Sequence, residues 1–264
     1  MLRNQYDTDI TTFSPQGRIH QIEYASEAVK QGSAVVGARS GTHAVLACVK
    51  RSVSDLASHQ RKIFELDTHV GVAVSGIIAD ARVLSKFMRN ECLQHRFAYE
   101  SAVPVGRLVR HVADYCQRCT QRASKRPFGV GLLVAGVDEL GPHLFETCPS
   151  GDEYELWAMA LGARSQSAKT YLERHLEEVK QAKRDELIRL ALAALRETFA
   201  AVRDAELTEH NCMVAVVGIE EPFRVYEDAQ VAGFLEAIRP APEPEGGSAT
   251  GAPSASEERM EDTS

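Results

Sequence analysis

The sequence predicts an α+β fold in which two stacked antiparallel sheets are each covered on the outer face by helices, a four-layer sandwich. Three observations carry that prediction. Short β-branched runs are joined by turn clusters, and long amphipathic stretches come in pairs between those blocks. The 264-residue chain, 44% apolar, is also large enough to bury one sizeable core. Hairpin blocks separated by helix pairs favour a sandwich over a doubly wound parallel sheet, whose strands would alternate singly with helices.

The first element is a helix starting near Arg18 and ending at Gly32, because Ile19, Ile22 and Val29 recur at helical spacing behind the turn signal Ser14-Pro15-Gln16-Gly17. Runs 34–38 and 44–49 flank Ser40-Gly41-Thr42-His43 and predict a hairpin; a second joins 63–66 to 70–75. A helix pair follows. Its first member, 80–95, has Asp80 as the expected N-cap, and Pro104 opens the second, since a fixed φ and a missing N–H suit a first helical position. Leu108, Val109 and Val112 form its apolar stripe.

Strands return at 130–137, 143–147 and 154–161, and Trp157, the only tryptophan, is expected in the core. The second helix pair covers 165–179 and 185–199, where Leu187, Leu190, Ala191, Ala194 and Leu195 share one face at i, i+3, i+4, i+7, i+8 spacing. Strands at 212–218 and 223–226 and a short helix capped by Asp228 and running through Ala237 complete one domain, 1–238. Beyond it, 239–264 is rich in Pro, Glu, Gly, Ser and Ala and reads as a disordered acidic tail.

Charge and composition exclude several function classes. The net charge is −7, and the tail holds −4 of it, six acidic residues against Arg239 and Arg259. No Lys/Arg run exceeds two residues, so a nucleic-acid footprint is not expected. No stretch reaches the roughly 18 apolar residues of a membrane span, and Arg3, Asn4 and Asp7 interrupt the start, so no membrane partner or signal peptide is expected and the protein is placed in the cytoplasm and nucleus. Six cysteines scattered through regular elements read as reduced thiols. Cys92, His95, Cys116 and Cys119 imitate a zinc set, but they lie at unequal distances from the connecting turn, so neither metal nor cofactor is expected. Ser254 and Ser256 beside Glu257 and Glu258 form a phosphorylation-like patch that reads as a solubility feature.

The opening segment carries the functional signal. Tyr6, Asp7, Thr11, Ser14, Pro15, Gly17, Arg18, Gln21, Glu23, Tyr24, Ala25, Glu27 and Ala28 stand in the order and spacing of a pattern near the N-terminus that resembles the alpha subunits of the proteasome core particle. Segments 75–82, 126–131 and 162–168 also resemble that family, and the likeness covers roughly residues 1 to 237. Within it, 3–7, 60–63, 141–143 and 168–173 are most similar to the type-1 branch. Phe128 replaces the usual tyrosine of the Arg-Pro-x-Gly segment, and Ala123-Ser124 replaces an aromatic-glycine pair, as in a divergent paralogue.

The resemblance implies the N-terminal-nucleophile hydrolase fold but not its chemistry. That chemistry needs a threonine freed at the N-terminus, its own amine as base, and a lysine and carboxylate to tune proton transfer. Ser33 falls where the nucleophile would be, but the segment from Tyr6 to Gly32 precedes it as structure, and Val49 stands in the approximate place of the carboxylate. Gly41-Thr42, the other candidate cleavage pair, sits in a turn. A non-catalytic subunit is therefore expected, with an active hydrolase of the same fold and a specialised paralogue with altered partners as alternatives.

The family resemblance also implies the site residues. Residues 1–32 would form the gate tail and first helix. Tyr6, Asp7, Pro15 and Tyr24 would be the cluster that holds the tail upright when an axial gate opens, with hydrogen bonds across a subunit boundary. Lys62 would be the solvent-facing floor of a pocket that takes the C-terminal carboxylate of a ring-shaped activator or regulatory particle, with Gly32 and Gly76 letting a peptide backbone approach. Implied partners are the other alpha subunits of a heptameric ring, the beta ring and activator C-termini. The implied role is control of substrate entry in ubiquitin-dependent protein degradation.

Overall fold

The computed structural model describes residues 6–51, 56–58, 60–199 and 207–238. Helix α1 spans His20–Gln31, and two hairpins follow: β1 Val35–Arg39 with β2 His43–Val49, then β3 Ile63–Asp67 with β4 Val70–Gly76. Next come α2 Ile78–Tyr99, α3 Val105–Thr120, β5 Val130–Asp138, β6 Gly141–Thr147, β7 Glu153–Glu155 and β8 Ala158–Leu161. The chain continues through α4 Ser165–Arg174, α5 Leu176–Gln181, α6 Arg184–Glu197, β9 Cys212–Gly218, β10 Arg224–Glu227 and α7 Ala229–Glu236. The strands form two antiparallel five-stranded sheets, ordered β10-β9-β2-β1-β8 and β3-β4-β5-β6-β7.

Period-two alternation sorts the strand residues between layers. On β2, Ala44, Leu46 and Cys48 enter the core between the sheets, while Val45 and Ala47 face the layer containing α4 and α6. Both faces are buried, which is why these strands read as continuous apolar runs. The α6 stripe seen in the sequence, Leu187 to Leu195, is buried against the first sheet; Leu84, Met88, Leu108 and Val112 of α2 and α3 cover the second. Each such side chain contributes about 1.5–3 kcal/mol from burial. The α+β sandwich is thus the observed architecture.

Several local expectations are corrected. Asp80 does not cap α2: Ile77 holds the N-cap position without a side-chain bond. Asp80 lies inside the first turn and is buried, accepting both Arg126 guanidinium nitrogens at 2.7 Å and the Gly129 N–H at 3.0 Å. Pro104 sits at the N-cap of α3 rather than in its first helical position, and the Asp138 carboxylate accepts the Val105 N–H at 3.1 Å. Asp228 does stand at the α7 N-cap, but without a side-chain cap bond; its carboxylate accepts from Lys50 Nζ at 3.1 Å.

The predicted strand 154–161 is two strands in different sheets, because the chain crosses between sheets at Leu156 and Trp157. Trp157 is consequently no core residue: it is 39% exposed, with the Arg39 guanidinium 4.2 Å above its ring. The helix expected over 165–179 breaks at His175 into α4 and α5. The 239–264 tail, the phosphorylation-like patch and residues 3–5 of the type-1 likeness lie outside the described residues.

Two glycines place α1 on this framework. Gly76, at φ +116°, would drive a Cβ to 2.2 Å from the Gly129 carbonyl, and Gly162, at φ +93°, would drive one to 2.6 Å from the Ser33 carbonyl. Both conformations and both approaches require glycine. Gly76→Ala is expected to lose about 3 kcal/mol or more of stability in urea unfolding. Gly41→Ala, where a Cβ meets nothing within 4 Å, should stay within about 0.5 kcal/mol.

Candidate functional site

Two neighbourhoods hold the residues singled out by the sequence, one on the outer flank of α1 and one at its C-terminal end. On the flank, Ser14 builds the lead-in turn. Its carbonyl accepts the Gly17 N–H at 2.9 Å and its hydroxyl the Arg18 N–H at 3.2 Å, with Pro15 at the position of the turn that wants a fixed φ. The helix starts two residues later than expected because Arg18 is held in that turn and reaches forward to Glu23, with Nε–Oε1 at 2.5 Å and Nη2–Oε2 at 2.8 Å.

The Tyr24 hydroxyl donates to Asp7 Oδ2 at 3.1 Å, and Gln21 Nε2 donates to the Asp7 carbonyl. The hydrogen bond to Asp7 raises the Tyr24 phenol above its usual range, because ionisation would remove the proton that the carboxylate accepts. Asp7 and Tyr24 thus meet within the chain. Tyr6 and Tyr24 remain exposed, while Ile10 is buried and anchors the segment between them. Pro15 contributes the turn and is not hydrogen-bonded to the pair. Sequence reasoning missed the second contact on Asp7; Gln21, three residues before Tyr24 on α1, was the available signal.

At the other end of α1, Gly32 turns the chain into β1. The Ser75 hydroxyl donates to the Val29 carbonyl at 2.9 Å and the Ala163 N–H to the Gly32 carbonyl at 2.6 Å, so both sheets hold this junction. A Cβ on Gly32 would lie 2.4 Å from the Gly76 nitrogen. The space that a side chain would take at Gly32 and Gly76 is therefore filled by the chain's own atoms.

Lys62, just before β3, reaches this junction. It is only 3% exposed, a correction to the solvent-facing charge expected from sequence. Its Nζ donates to the Ser33 carbonyl at 2.6 Å and to Ser33 Oγ at 2.7 Å, while Ser33 Oγ donates onward to the Val49 carbonyl at 2.8 Å. Ser33 thus packs locally, and the Val49 carbonyl accepts its hydroxyl hydrogen bond. Among the described residues no carboxylate lies within ion-pair distance of Lys62. Burial accordingly lowers its pKa to about 8. Lys50, equally buried, has the Asp228 carboxylate as counter-ion.

The thiols contrast with that lysine. Burial pushes Cys48, Cys92 and Cys116 up to about 12, so these sulfurs stay protonated. Among the described residues no group of three or more His, Cys, Asp or Glu side chains is arranged to hold a metal ion. No described helix is long and apolar enough to cross a membrane.

The family described as "Proteasome subunit" matches residues 29–217, and the N-terminal signature of the A-type proteasome subunits matches residues 6–28. The chain is 53% identical over 238 residues to a Dictyostelium discoideum protein named proteasome subunit alpha type-1, covering 90% of this chain and 96% of the relative. It is 45% identical over 261 residues to a Caenorhabditis elegans protein of the same name, covering 99% and 100%. A Schizosaccharomyces pombe relative named probable proteasome subunit alpha type-6 is 48% identical, covering 90% and 87%.

The Lys62 geometry predicts a pH signature. A lysine whose folded pKa, about 8, lies below the ordinary 10.5 binds fewer protons folded than unfolded between those values, so its burden on stability eases as pH rises through that window. Lys62→Met is expected to be at least as stable as the natural chain at pH 7. That advantage should shrink between about pH 8 and 10.5 in paired urea titrations.

Proposed function

Because this chain belongs to the proteasome subunit family, as an alpha-type member, we propose that it is a non-catalytic subunit of the core-particle alpha ring that helps control substrate entry. In this reading it packs with other alpha subunits into a seven-membered ring, stacks on the beta ring and offers Lys62 to activator C-termini. The particle so formed would serve ubiquitin-dependent protein degradation in the cytoplasm and nucleus.

The observation that carries the gating role is the tether of the N-terminal segment to α1. Asp7 is held at two points, by Tyr24 through its carboxylate and by Gln21 through its carbonyl. Such a double attachment fixes Asp7 against α1, which a segment guarding an axial opening requires.

The non-catalytic reading is supported by Ser33. It follows α1 directly through Gly32, its nitrogen is part of the main chain, and its hydroxyl proton is engaged by the Val49 carbonyl. A nucleophile of this fold needs its own free amine as base. The activator-docking reading is supported by the Lys62 ammonium, which is buried among neutral acceptors and therefore suited to receive an anion.

Removing the residues before Thr12 is expected to raise basal hydrolysis of a fluorogenic peptide by assembled core particles; an unchanged rate would count against the gate. Tyr24→Phe, which deletes the Asp7 bond and keeps the ring, should lower activator-stimulated hydrolysis about threefold. Basal hydrolysis by the same particles should stay near the natural value. Peptide turnover by the isolated chain would overturn the non-catalytic assignment.

A further inference from the structure

The Lys62 site holds a constraint that its assignment as a docking lysine does not explain. An ammonium ion with 3% exposure lacks, among the described residues, the carboxylate partner that its buried neighbour Lys50 has. Two of its three protons are directed at one residue, to the Ser33 carbonyl at 2.6 Å and Ser33 Oγ at 2.7 Å. The hydroxyl cannot turn to serve an incoming anion, because its own proton goes to the Val49 carbonyl at 2.8 Å. Ser33 Oγ is therefore held as an acceptor facing the lysine, and among the described residues the third ammonium proton has no acceptor.

We propose that Ser33 is a positioning residue of this site: its hydroxyl and carbonyl orient the Lys62 ammonium so that one proton is presented to a single carboxylate, the terminal carboxylate of a docking chain. This rests on the activator-docking reading given above. It adds that recognition depends on the Val49–Ser33–Lys62 chain of hydrogen bonds, in which every acceptor is neutral. A carboxylate entering the site supplies the negative charge those acceptors lack, and a C-terminal amide does not.

The charged and titratable groups around the ammonium fit this role. Cys48 on β2 lies beside it as a neutral thiol, held up to about 12 by burial, and Arg51 beyond β2 adds positive potential. Lys50, just after β2, and Glu227 of β10 also act on Cys48. Loss of the Ser33 hydroxyl would remove one of the two acceptors that stabilise the buried charge, so the lysine would deprotonate more readily and be less well aimed.

The test uses assembled core particles containing this chain and a photo-reactive peptide copying an activator C-terminus, as the free acid and as the C-terminal amide. Cross-linking to this chain is quantified by mass spectrometry. The free acid should label it, the amide should not, and labelling should fall as pH rises through about 8, where Lys62 loses its charge. Ser33→Ala should weaken labelling about tenfold and shift its pH midpoint downward, while Ser33→Thr, which keeps the hydroxyl, should restore both. Equal labelling by Ser33→Ala particles, with Lys62→Met particles unlabelled, overturns the role of Ser33 and leaves the docking reading standing. Undiminished labelling of Lys62→Met particles overturns both. If Ser33→Ala chains do not enter particles, Ser33→Cys particles decide, since a thiol fills the same space and accepts hydrogen bonds weakly. Labelling weakened to a similar degree supports the proposal, and labelling equal to that of natural particles overturns it.

Discussion

The fold depends on the close approach of backbone to backbone where α1 ends. Val29, Gly32 and Ser33 meet Ser75 and Gly76 from one sheet and Gly162 and Ala163 from the other. Side chains at Gly32, Gly76 and Gly162 are excluded from that meeting, since their Cβ atoms would fall within 2.2–2.6 Å of main-chain atoms. The carbonyls brought together there are satisfied by the Ala163 amide, the Ser75 hydroxyl and the Lys62 ammonium. The first helix is thereby fixed against both sheets, and the N-terminal segment that Tyr24 and Gln21 hold takes its direction from that helix.

The charges are arranged on two different principles. Asp80 with Arg126, and Arg184 with Glu221 and Tyr226, are closed systems in which each ion has its partner and extra hydrogen bonds. They tie segments together: the start of α2 to the lead-in of β5, and the start of α6 to the β9–β10 turn. The Asp80 carboxyl is accordingly held below its usual range by the Arg126 guanidinium. Lys62 is an open system, a buried cation whose acceptors among the described residues are neutral, destabilising to the isolated fold and suited to an anion from outside. That contrast separates structural ion pairs from a recognition site.

The sequence signals that succeeded were local ones. The α6 stripe from Leu187 to Leu195, both early hairpins and the Pro15 turn rest on periodicity or on a residue's own torsional limits, and each stands where it was expected. Those that failed depended on partners far along the chain. Asp80 has the composition of a cap, but Arg126, forty-six residues away, claims it. Trp157 has the composition of a core residue, but the crossover between sheets leaves it at the surface under Arg39. Lys62 reads as a surface charge, because nothing nearby in sequence announces that Ser33 will bury it.

By itself the sequence determined the alternation of hairpins and helix pairs, the two-sheet α+β class and the family, since these follow from spacing and from the thirteen residues between Tyr6 and Ala28 that match one pattern. Only the tertiary structure decided which groups are buried and whom they touch. It placed Asp7 on Tyr24 of the same chain, filled the side-chain space at Gly32 and Gly76 with the chain's own atoms, and surrounded a buried lysine with neutral acceptors. The reason is physical: burial and ion pairing are set by distances between segments far apart in the chain, and no local pattern encodes those distances.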